Sequence, residues 1–110
     1  MGRAVNRGEV RLYRFAAPDK RRPVVVLTRT SALRYLTRVT IAPITTNVRG
    51  IASEIVIGPE DGMREVSAVS LDNIQTVRKD DLGPIMAVLS NERMRSLEAA
   101  VAFALGFDER

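Results

Sequence analysis

The hydrophobic pattern of this chain changes period only once, near Ser90, and that switch limits the possible folds more than any other feature. Before it, every apolar segment is short and strand-like. Glu9 to Phe15 alternates, with Val10 and Leu12 on one face and Glu9, Arg11 and Tyr13 on the other, which predicts a half-buried strand. Pro23 to Thr28 is nearly all apolar and rich in β-branched residues, so it reads as a central strand covered on both faces, with proline at its tolerant first position. Val39 to Thr46 is a further strand, and Pro43 inside it argues for an edge position or a bulge. Asn47 to Gly50 is a turn and Ile51 to Ile57 a returning strand, so these two strands are predicted to form a hairpin. Gly58 to Gly62 is turn chemistry, and Val66 to Asp72 alternates again, with Val66, Ala68 and Ser70 on one face. Ile74 to Val77 and Ile85 to Leu89 are short last strands around the polar turn Arg78 to Pro84.

Beyond the switch, Met94, Leu97, Val101 and Leu105 recur at helical spacing, with Ser90 as N-cap and Gly106 where a C-cap glycine belongs. The predicted fold is mainly β with a C-terminal helix (α+β), a small barrel or half-barrel closed by that amphipathic helix. At 110 residues the chain is one domain, without internal repeat or linker. Its longest apolar run, Pro23 to Leu27, is far too short to span a bilayer, which takes about 20 residues. Arg3 and Arg7 near the N-terminus are followed by no apolar stretch, so no secretory signal is expected and the cytoplasm is the expected location.

Composition narrows the chemistry further. Cysteine and histidine are absent, which removes disulfides, thiol nucleophiles, imidazole acid–base catalysis and the usual zinc sites. Any catalysis falls to Arg, Lys, Thr, Ser, Tyr or carboxylates. The balance of 17 basic against 13 acidic residues leaves a modest positive field that suits a polyanionic partner, although many basic domains have none.

Arg22 ends a cationic Lys20-Arg21-Arg22 triplet just before an apolar strand, and its planar fork of donors suits phosphate oxygens. Read alone, such a triplet is more often a solvated turn. Thr45 and Thr46 close a strand beside Asn47 and Arg49; a Thr pair there more often reflects β-propensity, and at most one of the two can face a given site. Asp72-Asn73 reads as a turn start. The pairs Glu60-Asp61 and Asp80-Asp81 sit in glycine-flanked turns and are expected to be solvated rather than to bind a metal.

Four elements in order change these odds: Arg7-Gly8-Glu9-Val10; Arg22-Pro23 leading into Val24 to Leu27; Ile44-Thr45-Thr46; and Asp72-Asn73-Ile74. With the terminal helix, the whole chain resembles the MazF/PemK family of toxins, the ribonuclease half of bacterial toxin–antitoxin pairs. The resemblance implies an SH3-like barrel, a homodimer, no cofactor, and metal-independent cleavage of single-stranded RNA. It implies catalytic roles for Arg22 and Thr45, with Asp72 a weaker candidate that orients Arg22 or contacts a base. Lys20, Arg21, Thr46, Asn47, Arg49 and Asn73 are then expected to contact RNA, and a MazE-like antitoxin with an acidic segment to cover them. This chain departs from the family pattern in its short Ala16 to Arg21 loop and in Ser70, where some relatives carry an arginine assigned to catalysis. Two rival readings stay open. A gyrase poison resembling CcdB would end in Trp-Gly-Ile, whereas this chain ends Phe107-Asp108-Glu109-Arg110 and has no Trp. A non-catalytic RNA-binding barrel would want stacking platforms, and two Tyr and three Phe supply few.

Overall fold

The structure, a computed structural model, describes residues 4–16, 21–107 and 109. Seven strands form one coiled sheet: β1 (Glu9–Arg14), β2 (Arg21–Val26), β3 (Arg38–Thr45), β4 (Glu54–Ile57), β5 (Ser67–Ser70), β6 (Gln75–Arg78) and β7 (Ile85–Val88). Their order is β4-β5-β3-β2-β1-β7, and β6 pairs with the first half of β3. A single helical turn, α1 (Thr30–Leu33), links β2 to β3, and α2 (Asn91–Leu105) closes the half-barrel. No helix among the described residues is long and apolar enough to cross a membrane.

The apolar β2 and β3 are central because both of their faces are covered. Val25, Ala42 and Ile44 enter a cluster beneath α2 with Ile57, Val69 and Leu97, while Val24, Val26, Val39 and Ile41 enter a second cluster with Leu33, Val77 and Leu82. The helix is capped as its sequence predicts: Ser90 Oγ accepts from the Arg93 N–H, and Gly106, at φ 77°, donates to the carbonyls of Ala102 and Phe103. Its buried stripe is Leu97 and Ala100, with Met94, Val101 and Ala104 partly covered; Leu105, expected on that stripe, is the last helical residue and is half exposed.

Four expectations are corrected. β3 and β4 form no hairpin: β4 starts only at Glu54 and pairs with β5, which in turn pairs with β3. Pro43 sits neither on an edge nor in a bulge. It lies opposite Val24, and on its other flank β3 changes partner between Ile41, paired with β6, and Ile44, paired with β5, so its missing N–H falls in a gap in the ladder. Val66 is exposed outside β5, whose four residues are all buried: β5 runs between β3 and β4 in the sheet, and Val69 packs in the cluster with Leu97 and Ala100. Finally, the face of β1 expected to look outward is sealed. Val5 and Leu82 cap that side, Arg11 donates from Nη1 to Glu9 Oε1 at 2.7 Å and from Nε to the Gly83 carbonyl at 2.7 Å, and both charged side chains are buried.

Candidate active site

The antiparallel register of β2 and β3 sets Val24 opposite Pro43. Continued by two residues, it sets Arg22 opposite Thr45, with both side chains on the face shared by residues two apart along each strand. The two residues line both of two adjoining cavities at this end of the sheet, one of about 320 Å³ and one of about 270 Å³. Ile44 is the third residue common to both. The larger cavity also takes Asn47, Arg49, Glu54, Ser70 and Asn73; the smaller takes Arg21, Pro23, Thr46 and Ser67.

Arg22 is exposed and forms no ion pair among the described residues, so its donors stay open to an anion. Thr45 is half-buried, and its Oγ1 accepts from the Asn47 N–H at 3.0 Å. That bond uses a lone pair and fixes the oxygen, which leaves the hydroxyl proton to be donated into the cavity. The pair is therefore a guanidinium charge beside an aligned hydroxyl donor, an arrangement suited to an oxyanion.

Thr46 and Arg21 stand in the smaller cavity, and Asn47, Arg49 and Asn73 in the larger. Asp72 is apart from both: it sits in the short 3-10 turn Leu71–Asn73, where its carboxylate accepts from Ser53 Oγ. Lys20 lies outside the described residues. Of the acidic pairs, Asp61 accepts from Arg93 Nε at 2.9 Å, and the Arg93 guanidinium holds its carboxyl below the usual carboxylate range. Among the described residues no three His, Cys, Asp or Glu side chains converge as a metal site would require.

Sequence reasoning missed Glu54 and Ser67, and it read Ser70 only as a departure from the family pattern. Glu54 is the most consequential, since its side chain is only 1% exposed yet it accepts from Arg49 Nε at 3.3 Å, from the Arg49 N–H at 3.1 Å and from the Gly50 N–H at 3.2 Å. A lone carboxylate just ahead of the apolar Ile55-Val56-Ile57 was the available signal, because such a charge in a strand needs partners.

Comparison with known proteins bears on the family and the fold. The family described as the PemK-like, MazF-like toxin of type II toxin–antitoxin systems matches residues 6–105. The endoribonuclease MazF3 of Mycobacterium tuberculosis is 43% identical over 97 residues, 88% of this chain and 90% of that protein. Among solved structures, the Mycobacterium tuberculosis toxin MazF-mt6 superposes with a TM-score of 0.82 at 38% identity, covering 89% of this chain and 96% of that one. A mycobacterial endoribonuclease in complex with its cognate antitoxin gives a TM-score of 0.83 at 28% identity, covering 94% and 96%. A match over this much of its length, with Arg22 and Thr45 meeting at the end of the sheet, means that the chain belongs to the PemK-like, MazF-like family of type II toxins.

Proposed function

We propose that the pocket around Arg22 and Thr45 is where this endoribonuclease toxin cuts single-stranded RNA, with the substrate's own 2′-OH as nucleophile. The attack on the adjacent phosphorus expels the 5′-oxygen of the next nucleotide, leaving a 2′,3′-cyclic phosphate and a 5′-hydroxyl. Such a reaction needs alignment and neutralisation of the charge that builds on the phosphorane more than it needs covalent help. Arg22 supplies that charge, and Thr45 donates its hydroxyl to a non-bridging oxygen. Arg21 and Thr46 hold the strand on one side of the pair and Asn47, Arg49 and Asn73 hold it on the other; Lys20 is a further RNA contact in this reading. Asp72 acts at one remove, by keeping the turn that carries Asn73 in place through Ser53.

The observation that carries this reading is the meeting of Arg22 with Thr45 across β2 and β3. The absence of His and Cys from the sequence, and of convergent carboxylates among the described residues, favours chemistry without a protein-held metal. The reading includes a cytoplasmic homodimer, for which the exposed Leu36 and Phe107 at a groove of about 560 Å³ beside α2 offer apolar surface to a second copy. It also includes an acidic antitoxin segment, because a groove that attracts phosphates attracts carboxylates equally.

Incubation of the purified chain with a long RNA in EDTA tests the core of it. Fragments with 5′-hydroxyl ends are the expected result, and a substrate with 2′-deoxyribose at the scissile nucleotide is expected to stay whole. Intact but bound RNA would favour a non-catalytic binding barrel. Efficient cutting of the deoxy substrate would overturn internal attack.

A further inference from the structure

The larger cavity has two polar arms, and each rests on one member of a cross-strand pair. Glu54 of β4 and Ser70 of β5 are register partners, and both are buried. Glu54 grips Arg49 through its Nε and gathers the backbone N–H groups of Arg49 and Gly50, so the arm is fixed at its root as well as along its length. Gly50 makes the bend with φ at 68°, a left-handed conformation that disfavours other residues. Ser70 Oγ accepts from Asn73 Nδ2 at 2.7 Å, which orients the second arm.

What each arm has left to offer follows from its inventory. Arg49 is 53% exposed and is bound to Glu54 only through Nε, so its terminal nitrogens present donors and nothing else. Asn73 has one amide hydrogen committed to Ser70, and its Oδ1 accepts no hydrogen bond among the described residues. Lone phosphate recognition calls for donors alone, so an acceptor arm beside a donor arm points to a base edge.

We infer that Arg49 and Asn73, seated on Glu54 and Ser70, select a nucleobase with an imide edge, a carbonyl beside a ring N–H, as in uracil and guanine; this rests on the RNA-cleaving reading above. Arg49 donates to the carbonyl and Asn73 Oδ1 accepts from the ring N–H. Cytosine and adenine carry an unprotonated ring nitrogen at that place, which would set a lone pair against Oδ1 and leave that acceptor unpaired. Glu54 is a positioning residue, acting only through Arg49 and Gly50.

The test is cleavage of short RNA oligonucleotides that vary one base at a time, with fragment ends sequenced. At one fixed position beside the cut, uracil or guanine is expected to be favoured over cytosine and adenine by about tenfold or more, the discrimination a good paired contact provides. N3-methyluridine or N1-methylguanosine at that position removes the N–H, and whichever methylation abolishes the advantage identifies which base is read. Arg49→Ala and Asn73→Ala should each flatten the preference there. Glu54→Gln, which keeps the shape and one acceptor, should flatten it partly and Glu54→Ala more; if the Glu54 variants do not fold, the exposed Arg49 carries the test. Arg49→Ala weakening every substrate equally, with preference intact, would make it a phosphate contact and overturn the inference. So would a wild-type preference for adenine or cytosine at the position that Arg49 controls. A wild-type chain that cuts no RNA of any sequence would instead sink the underlying reading, and this inference with it.

Discussion

Two arginine–glutamate pairs in this molecule use the same chemistry for opposite ends. Glu9 and Arg11 on β1 are sealed, at 6% and 2% side-chain exposure, and their neighbours Asn6 and Gly83 complete the bonding. No buried side-chain nitrogen or oxygen among the described residues lacks a partner. At Glu54 and Arg49 the carboxylate is just as buried, but the guanidinium is half in solvent with its outer donors unspent. A closed pair ties β1 to the loop before β7 and offers nothing to a ligand. The half-open pair converts a buried charge into a fixed presenting arm. An arginine's role thus turns on how many of its five N–H groups the fold consumes.

The sharpest way to break that comparison is Arg11→Ala. It leaves the Glu9 carboxylate buried with only Asn6 for company, and removal of one partner from a buried pair costs about 3–5 kcal/mol. A large fall in the thermal midpoint is expected, with any residual cleavage tracking the folded fraction. The double variant Arg11→Met with Glu9→Leu should be much milder, since it removes both charges together. An Arg11→Ala chain as stable as the wild type would show that the sealed pair has no structural role.

Next in size is the proposed catalytic pair, where loss of rate should come without loss of stability. Arg22→Ala should abolish measurable cleavage in a well-folded chain, because the side chain is exposed and joins no ion pair among the described residues. Thr45→Val keeps the shape and removes the donor, and a fall on the order of 10²-fold is expected, the usual cost of one oxyanion donor. Thr46→Val should matter less, since only Thr45 lines both cavities. Turnover near the wild-type rate in either principal variant would remove that residue from the mechanism.

Arg49→Ala sharpens the contrast with Arg11. Because Arg49 is half in solvent and the buried Glu54 carboxylate keeps the N–H groups of residues 49 and 50, deletion should cost clearly less stability than Arg11→Ala, while base preference changes as argued above. Equal melting losses for Arg11→Ala and Arg49→Ala would erase the distinction between the two pairs.

How much of this was legible beforehand follows the range of the interactions. Ser90 and Gly106 announced the helix, because caps are local bonds between residues three or four apart. Arg22 and Thr45 could be named from motif, and their meeting needed only two adjacent antiparallel strands. The failed hairpin shows where local reading stops. Asn47 to Gly50 looked like a turn back onto β3, but the Glu54 carboxylate captures the amides of Arg49 and Gly50 and sends the chain across to β5. Alternation in β1 likewise sorted the faces correctly without saying which would be covered, since the cover comes from Leu82 and Gly83, some seventy residues away.

A third arginine, shared between a buried and an exposed carboxylate, completes the series and should show the smallest effect. Arg93 on α2 bonds Asp61 at 2.9 Å and Glu60 at 3.2 Å, pinning the turn Pro59–Asp61 against the helix. The Arg93 hydrogen bond, joined by the Gly58 N–H, lowers the Asp61 pKa. A carboxyl with a folded pKa below its unfolded value of about 3.9 contributes stability that is fully present above that value and is lost as pH falls through the folded one. For a pair partly open to solvent the contribution is a few tenths to about 1 kcal/mol, and salt reduces it. Urea unfolding at pH 6 and at pH 3 should therefore show Asp61→Asn less stable than the wild type at the higher pH, with the gap narrowing at the lower one. A gap that widens on acidification would reverse the sign and show that burial, not Arg93, governs this carboxyl.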